Sequence, residues 1–310
     1  MKFSLLSLVN YYLRLCFSHA GLRPYTTDID SVTTIKCWIS SALPNKNLTS
    51  KSQSSKPILL LIHGFGPLPI WQWHHQVGPL SRHFDLVVPE LIFFGGSTTK
   101  SSSRSELFQA ESLVQLLDAL GIGERKDVYV VGTSYGGFVG YHVARLLGEE
   151  RIKKVVIASS DLLKAEPDDK ALLKRAGVES ISDLLIPKEP DNMRILMEMA
   201  LWRPPHFMPN FVLWDVIQEM YNDNIEQKME LIKGITIGNK DAFQLTPLPR
   251  EVLIVWGEHD QIFPLDKAHQ MQKCLGETAR LEVLKNTGHL PQAEDPTRFN
   301  EVLLNFLTAS

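Results

Sequence analysis

The sequence predicts an α/β fold in which helices cover both faces of a doubly wound, mostly parallel β-sheet. Short apolar runs without polar alternation recur along the chain, at 58–62, 86–88, 128–131, 155–158, 252–255 and 281–284. Strands that are buried on both faces have this pattern, and parallel sheets consist of such strands. Stretches with helical periodicity lie between the runs, so strands and helices alternate as this fold class requires.

The first segment, residues 1–17, has the periodicity of a helix. Its apolar residues step by three or four positions: Phe3, Leu6, Val9, Leu13 and Cys16. Such a helix can pack on the body of the protein or lie in a membrane interface, and the sequence leaves both roles open. A signal peptide would need a longer apolar region, and the chain has no run of about 18 apolar residues that could span a bilayer.

Strand, loop and helix patterns follow in turn. Residues 33–39 (TTIKCWI) are β-branched and aromatic, which predicts an edge strand in a hairpin. Residues 45–56 are polar and rich in serine, so a surface loop is expected there. Residues 105–120 carry an apolar stripe at helical spacing that Gly121 can end, and a final helix is expected near 296–307.

The alternation of strands and helices breaks between residues 161 and 248, where the pattern is helical throughout. This region holds six of the eight methionines: Met193, Met197, Met199, Met208, Met220 and Met229. An insertion between two core strands forms a cap, and its methionines either fill the core of that cap or line an apolar substrate tunnel. We therefore divide the chain into an N-terminal apolar helix (1–27), a core (28–160 and 249–310) and a helical cap (161–248).

Charge and cysteine content narrow the classes of protein. The 310 residues include 32 Lys and Arg against 35 Asp and Glu, a net charge of −3, which argues against a nucleic-acid partner. Cys16, Cys37 and Cys274 are widely spaced and fit neither a disulfide framework nor a zinc site. They are typical of reduced thiols, so we expect a cytoplasmic protein, membrane-associated if its first helix contacts lipid.

The strongest motif is GTSYGG at 132–137, between an apolar strand and a helical stretch. A G-x-S-x-G sequence in this position is typical of a sharp strand-to-helix turn that exposes a nucleophilic serine. Gly132 and Gly136 relieve the crowding that such a tight turn creates. The sequence therefore predicts Ser134 as the nucleophile.

Loops after the last two predicted strands supply a base and an acid. A serine hydroxyl needs a base, and the base needs an orienting carboxylate. The segments WGEHDQIFP (256–264) and NTGHLP (286–291) each follow an apolar strand, and open α/β sheets place their sites at the carboxyl ends of strands. Asp260 is therefore the predicted acid and His289 the predicted base, in the chain order that this fold uses.

Three nearby residues are alternatives for these roles. His259 is the rival base, although it lies on the loop of the acid itself. Glu258 is a rival acid that lies close to the end of its strand. Asp161 is a better rival, because some serine hydrolases of this fold take their acid from the strand before it.

A third loop supplies groups that can stabilise negative charge. The apolar run 58–62 ends in His63-Gly64-Phe65-Gly66, which brings backbone N–H groups to the point where an oxyanion forms. The predicted donors are the N–H groups of Phe65 and of Tyr135, the residue after the nucleophile. His63 is expected to hold this loop through hydrogen bonds.

Together, HGFG, GTSYGG, WGEHDQIFP and NTGHLPQAEDP resemble the α/β-hydrolase superfamily over about residues 30–308. The segment PELIFFGGS (89–97) and the long cap resemble, more narrowly, a plant branch similar to monoacylglycerol lipases and capped serine carboxylesterases. The resemblance implies an eight-stranded sheet, a helical cap inserted after strand 6, and a Ser–His–Asp triad formed by Ser134, His289 and Asp260. Glu90 departs from the more frequent Asp, which affects loop packing and not the triad.

The expected activity is hydrolysis of a small ester with an apolar acyl or alkyl part, through an acyl-serine intermediate. This chemistry needs neither a metal nor an organic cofactor. The same triad also serves carbon–carbon bond hydrolases and acyltransferases, and a receptor of this fold can retain it with vestigial turnover. These alternatives stay open at the level of sequence.

Overall fold

The structure, a computed structural model, describes residues 5–43, 55–122, 127–239 and 241–309. Most of the loop predicted at 45–56 lies outside these residues. Strands are numbered in chain order as β1 (Leu22–Asp28), β2 (Thr33–Ser40), β3 (Ile58–Ile62), β4 (Asp85–Pro89), β5 (Thr98–Thr99), β6 (Val128–Thr133), β7 (Ile152–Ala158), β8 (Glu251–Gly257) and β9 (Ala279–Leu284).

The helices of the described residues flank these strands. They are α1 (Leu5–His19), α2 (Pro69–Ser81), α3 (Glu106–Ala119), α4 (Tyr135–Arg151), α5 (Glu166–Ala176), α6 (Ile181–Leu185), α7 (Pro190–Ala200), α8 (Asn210–Met220), α9 (Ile225–Lys233), α10 (Leu265–Leu275), α11 (Pro291–Glu294) and α12 (Pro296–Thr308). All six apolar runs of the sequence lie in strands, and the helices predicted near 105–120 and 296–307 are α3 and α12. Ser105 caps the N-terminus of α3, because its side chain accepts a hydrogen bond from the N–H of Phe108.

The nine strands of the described chain form one sheet in the order β1-β2-β4-β3-β6-β7-β8-β9. The strands from β4 to β9 along this row pair in parallel, whereas β1, β2 and the two-residue β5 pair antiparallel. The sheet thus has the expected row of eight strands and one strand more, since β5 pairs with β2 outside the row.

The predicted edge position of residues 33–39 is wrong. These residues form β2, which lies inside the sheet between β1 and β4. The strand at this end of the row is β1. The sequence does not reveal it, because only its first residue is buried and its other residues alternate between half-buried and exposed. As a result, the range 1–27 assigned to an apolar helix contains α1 and most of β1.

One face of α1 packs on the core and another is exposed. Leu13 and Phe17 are buried in the cluster beneath the sheet. Leu8, Tyr11 and Tyr12 are 66%, 61% and 61% exposed, respectively. Among the described helices, none is long and apolar enough to cross a membrane.

The core lies on both faces of the sheet, as the doubly wound fold requires. Along β3, Ile58, Leu60 and Ile62 join one apolar cluster, and Leu59 and Leu61 join the other. Burial of both faces explains why this strand reads as an unbroken apolar run. Since the central strands are parallel, the loops after β3, β6, β8 and β9 leave the same edge of the sheet.

Five helices, α5 to α9, lie between β7 and β8. They have an apolar cluster of their own, to which Met193, Met199 and Met220 belong. Strand β7 is the sixth strand of the eight-strand row in chain order. Buried Glu106 of α3 holds the end of this insertion, because its carboxylate accepts hydrogen bonds from the N–H groups of Thr236 and Ile237 at 3.0 Å.

Candidate active site

Ser134 stands alone between β6 and α4, in a turn that glycines make possible. Its backbone has φ 51° and ψ −125°, a left-handed conformation that side chains rarely adopt. A methyl group on Gly132 would collide with the backbone of Gly136, and one on Gly136 would collide with the carbonyl groups of Ile62 and His63. The sharp turn therefore depends on glycine at both positions.

The structure brings the three predicted triad residues into one chain of hydrogen bonds. The Nε2 atom of His289 lies 2.9 Å from the Oγ atom of Ser134. On the other side of the ring, Nδ1 lies 2.8 Å from the Oδ2 atom of Asp260. His289 and Asp260 are both buried, so water competes little for these bonds.

The loop around Asp260 orients its carboxylate, and this orientation determines which tautomer His289 adopts. The Oδ1 atom accepts hydrogen bonds of 2.9 Å from the N–H groups of Ile262 and Phe263. The Oδ2 atom is then left for the imidazole, and an ionised carboxylate can only accept, so Nδ1 carries the proton. Nε2 keeps its lone pair for the hydroxyl proton of Ser134.

The rival residues of the Asp260 loop have other contacts. The ring of His259 stacks on Trp202 at 3.5 Å between centroids and lies 3.4 Å from Glu258. The carboxylate of Glu258 accepts a hydrogen bond from the N–H of Asn286. Neither contact involves Ser134, so the structure does not bring these two residues to the nucleophile.

Asp161 also lies away from the imidazole. It accepts a hydrogen bond from the N–H of Leu163 at 2.8 Å, and its carboxylate lies 3.8 Å from the Nζ atom of Lys267. Burial is the main cause that raises the pKa of Asp161 to about 6. This carboxyl group belongs to an ionic cluster beside the insertion and not to the hydrogen-bond chain.

The HGFG loop after β3 is fixed by two buried side chains. The Nε2 atom of His63 accepts a hydrogen bond from the N–H of Leu91 at 2.9 Å, so Nδ1 must carry the proton that bonds the carbonyl of Gly64 at 2.8 Å. The amide of Gln72 accepts from the N–H of Gly64 at 2.8 Å and donates to the carbonyl of Pro67 at 2.6 Å. These bonds hold the loop against the turn of Ser134.

The two residues predicted to supply the N–H groups of the oxyanion site, Phe65 and Tyr135, line the same cavity as Ser134. Tyr135 is the first residue of α4, where N–H groups have no partner within the helix. Phe65 follows Gly64, and a methyl group on Gly64 would lie 3.0 Å from the Cβ atom of Ser134. The rings of Phe65 and Tyr135 pack edge to face, which keeps the two segments together.

A cavity of about 410 Å³ opens at Ser134 and His289. Its walls come from the loops of the sheet and from the inserted helices, and they are mainly aliphatic and aromatic. Four of the six methionines of the insertion are among the lining residues: Met193, Met197, Met208 and Met220. Methionines of the insertion thus occur both in a cavity wall and in the core of the insertion, where Met199 is buried without lining the cavity.

Two contacts of the site have no recognisable signal in the sequence. Gln72 lies on α2, and nothing in its local pattern distinguishes it from a surface glutamine. The hydroxyl of Ser160 donates a hydrogen bond of 2.7 Å to the carbonyl of Ser134, from the neighbouring strand end. Both residues reach the site through tertiary packing, so only the structure identifies them.

Comparison with known proteins gives a family and several relatives. The model of the Alpha/beta hydrolase family matches residues 59–302. The chain is 26% identical to 2-hydroxy-6-oxononadienedioate/2-hydroxy-6-oxononatrienedioate hydrolase 1 of Dechloromonas aromatica, over 81% of this chain and 86% of that one. It is 25% identical to monoacylglycerol lipase ABHD6 of Bos taurus, over 82% and 76% of the two chains. A candidate lipase (lip1) of Acinetobacter baumannii AYE has the same fold, with a TM-score of 0.77, 21% identity and coverage of 99% and 96%.

Proposed function

Because the chain belongs to the Alpha/beta hydrolase family, we propose that it is a serine hydrolase that cleaves carboxylic esters with an apolar acyl or alkyl part. The observation that carries this proposal is the hydrogen-bond chain from Asp260 through His289 to Ser134 at the mouth of an apolar cavity. In this proposal the helices α5 to α9 act as the cap that shapes the substrate site.

In the first half of the reaction, Ser134 attacks the ester carbonyl. Nε2 of His289 takes the hydroxyl proton as Oγ forms its bond to the carbonyl carbon. The N–H groups of Phe65 and Tyr135 donate to the oxyanion, and Asp260 holds the imidazolium in place. When the tetrahedral intermediate collapses, His289 returns its proton to the departing alkoxide, and the acyl group stays on Ser134.

In the second half, water replaces the alcohol. His289 takes a proton from the water as its oxygen attacks the acyl carbon, and the same two N–H groups hold the second oxyanion. Collapse breaks the bond to Oγ, and His289 returns the proton to Ser134. The products are a carboxylic acid and an alcohol, and the enzyme is restored without any further reactant.

The cavity favours an uncharged, apolar substrate. Its lining is mainly aliphatic and aromatic side chains, and transfer of such surface from water stabilises a bound hydrocarbon chain by about 25 cal/mol per Å². Lys164, which also lines the cavity, is already held by Asp169 through hydrogen bonds of 2.8 and 2.7 Å. A substrate with a free carboxylate would have to compete with Asp169 for this lysine.

A carbon–carbon bond hydrolase is the second candidate, because one relative bears the name of a dienedioate hydrolase. A dienedioate carries two carboxylates, which suit the apolar lining and the paired Lys164 poorly. Ester cleavage is therefore our first proposal. The narrower assignment to a plant branch similar to monoacylglycerol lipases stays a prediction from residues 89–97.

We further propose that the exposed face of α1 contacts lipid. Leu8, Tyr11 and Tyr12 supply an apolar and aromatic surface, and α1 has no acidic residue. Asn10 of the same helix accepts a hydrogen bond of 2.7 Å from Trp71, a residue that lines the cavity. A helix in this position would hold the cavity close to a source of lipid-soluble esters.

The decisive experiment replaces the nucleophile. Ser134→Ala should reduce kcat for p-nitrophenyl butyrate by at least about 1000-fold, because the acyl acceptor is lost. Labelling with a fluorophosphonate should also be lost, while circular dichroism and Tm stay close to those of the wild type. Ser103→Ala, in an exposed loop, is the control that should keep full activity. Retained turnover by Ser134→Ala would overturn the assignment.

A further inference from the structure

Residues 200–202, which leave the end of α7, lie directly against the loop of His289. The N–H of His289 donates a hydrogen bond of 2.8 Å to the carbonyl of Ala200. A methyl group on Gly288 would lie 2.8 Å from both the carbonyl oxygen of Ala200 and the nitrogen of Trp202. Glycine at position 288 is what allows the insertion to approach the loop so closely.

Trp202 of this segment also reaches the loop of Asp260. The Trp202 indole stacks on the ring of His259, with 3.5 Å between centroids and 12° between planes. His259 directly precedes Asp260 in the chain. One short segment of the insertion thus touches both loops that carry the predicted acid and base.

Glu294 joins this segment to the His289 loop. Its Oε1 atom accepts a hydrogen bond of 2.7 Å from the N–H of Gly288, and its Oε2 atom accepts one of 2.8 Å from the N–H of Trp202. Burial raises the pKa of Glu294, and hydrogen bonds from the N–H groups of Trp202, Gly288 and Leu290 act in the opposite direction. Each carboxylate oxygen therefore holds a different part of the chain, and the two parts are 86 residues apart in sequence.

Segment 200–202 also forms part of the cavity wall. Ala200 and Leu201 line the cavity together with Ser134 and His289. A substrate in the cavity therefore contacts the two residues that directly precede Trp202, the residue that Glu294 binds. Because a displacement of about 1 Å in a reacting group can cost about 100-fold in rate, this tie bears directly on catalysis.

We propose that Glu294 is a positioning residue that couples the inserted helices to His289, so that the imidazole is aligned with Ser134 only while segment 200–202 is seated. The proposal rests on the serine hydrolase function argued above. Glu294 does not touch the reacting atoms. It acts through the backbone of Gly288 and Trp202.

The test compares Glu294→Gln with the matched control Glu198→Gln. Glutamine keeps one acceptor oxygen but turns an amide N–H₂ toward a backbone N–H, so one of the two bonds is lost. Glu198 is exposed on α7 and loses the same charge without touching the His289 loop. We expect Glu294→Gln to lower kcat for p-nitrophenyl butyrate by about 10- to 100-fold with KM changed less than about twofold, and Glu198→Gln to change neither.

A second measurement reports on the two hydrogen bonds of Glu294 directly and does not depend on catalytic activity. Hydrogen–deuterium exchange should become faster in Glu294→Gln in two separate peptides, one covering 200–205 and one covering 285–295, and in neither for Glu198→Gln. Three results for Glu294→Gln would overturn the proposal: an unchanged kcat, an increase in KM without a decrease in kcat, or faster exchange in only one of the two peptides. Glu294→Asp, which keeps two acceptor oxygens, takes the same test if the glutamine variant does not fold.

The two readouts separate this proposal from the one on which it rests. If the wild type hydrolyses no ester and is not labelled by fluorophosphonate, the proposed function is wrong. Hydrogen–deuterium exchange in the two peptides still tests whether Glu294 connects segment 200–202 to the His289 loop. If the wild type is active and Glu294→Gln matches it in kcat and exchange, the function stands and the positioning role of Glu294 is wrong.

Discussion

Ser134 is held in its rare backbone conformation by hydrogen bonds to both its N–H and its carbonyl group. The N–H of Ser134 donates to the carbonyl of Ala158 at 2.9 Å, and its carbonyl accepts from the N–H of Gly137 at 2.8 Å and the hydroxyl of Ser160 at 2.7 Å. These partners lie at the end of β7, in the loop that follows β7 and on α4, so the turn is fixed by neighbouring elements and not by its own sequence alone. Strain of this kind persists only where the surroundings over-determine it.

His63 gives a prediction at the scale of one residue. Burial lowers its pKa to about 4, below the ordinary value of 6.5. Above pH 6.5 the folded and unfolded chains both carry a neutral ring. As the pH falls from 6.5 to 4, only the unfolded chain gains the proton, so the free energy of unfolding should decrease by about 3 kcal/mol from this residue.

Urea denaturation of the wild type and of His63→Gln between pH 7.5 and 4.5 measures this contribution. The variant should be less stable at pH 7.5, because the bonds to Leu91 and Gly64 are altered, but its stability should fall less steeply toward low pH. The exposed His83→Gln is the control that should follow the wild type. Parallel curves for the wild type and His63→Gln would contradict the prediction.

At the scale of elements, α1 has one buried and one exposed face. Its helical period was readable from the sequence, yet the period alone could not say which apolar side chains pack. The structure divides them: Leu13 and Phe17 are buried, and Leu8, Tyr11 and Tyr12 are exposed. The difference arises because β1, β2 and α2 pack against only one side of the helix.

The exposed face of α1 should bind lipid vesicles. Replacing Leu8, Tyr11 and Tyr12 together by serine removes apolar area worth about 1.5 to 3 kcal/mol for each large side chain, so binding should weaken more than about tenfold. Co-sedimentation with vesicles of phosphatidylcholine and phosphatidylserine measures the bound fraction. Leu107→Ser with Leu146→Ser, exposed apolar positions on α3 and α4, is the matched control. Equal binding by both variants and the wild type would refute lipid contact through α1.

At the scale of the whole molecule, the cavity exists only because two distant parts of the chain meet. The sheet contributes Ser134 and His289, and the insertion contributes most of the apolar wall. Its volume of about 410 Å³ is within the range of small-molecule sites, about 300–1,000 Å³. We therefore expect the insertion to determine which acyl chains are accepted, while the chemistry stays with the sheet.

A larger side chain in the cavity should change chain-length preference. Met197→Trp should reduce kcat/KM for p-nitrophenyl laurate by about tenfold or more and leave p-nitrophenyl acetate within about threefold, because one or two lost methylene contacts are worth about 1 to 3 kcal/mol each. Met229→Trp, a methionine of the insertion that does not line the cavity, is the control. An equal decrease in kcat/KM for both esters would show that the substitution disturbs the catalytic residues and does not act through contacts with the acyl chain.

Elements whose burial leaves a periodic pattern along the chain could be predicted from the sequence. The parallel strands are covered on both faces and read as apolar runs, and Ser134, Asp260 and His289 follow strand ends within short motifs. The sequence missed β1 and gave β2 an edge position, because an antiparallel strand with a solvated face leaves a weak signal. Which methionines face the cavity, and which loops Gln72 and Glu294 bind through hydrogen bonds, follows from tertiary packing alone, because each of these contacts joins residues from separate elements. Local periodicity records how deeply a residue is buried, but not which distant residue it meets.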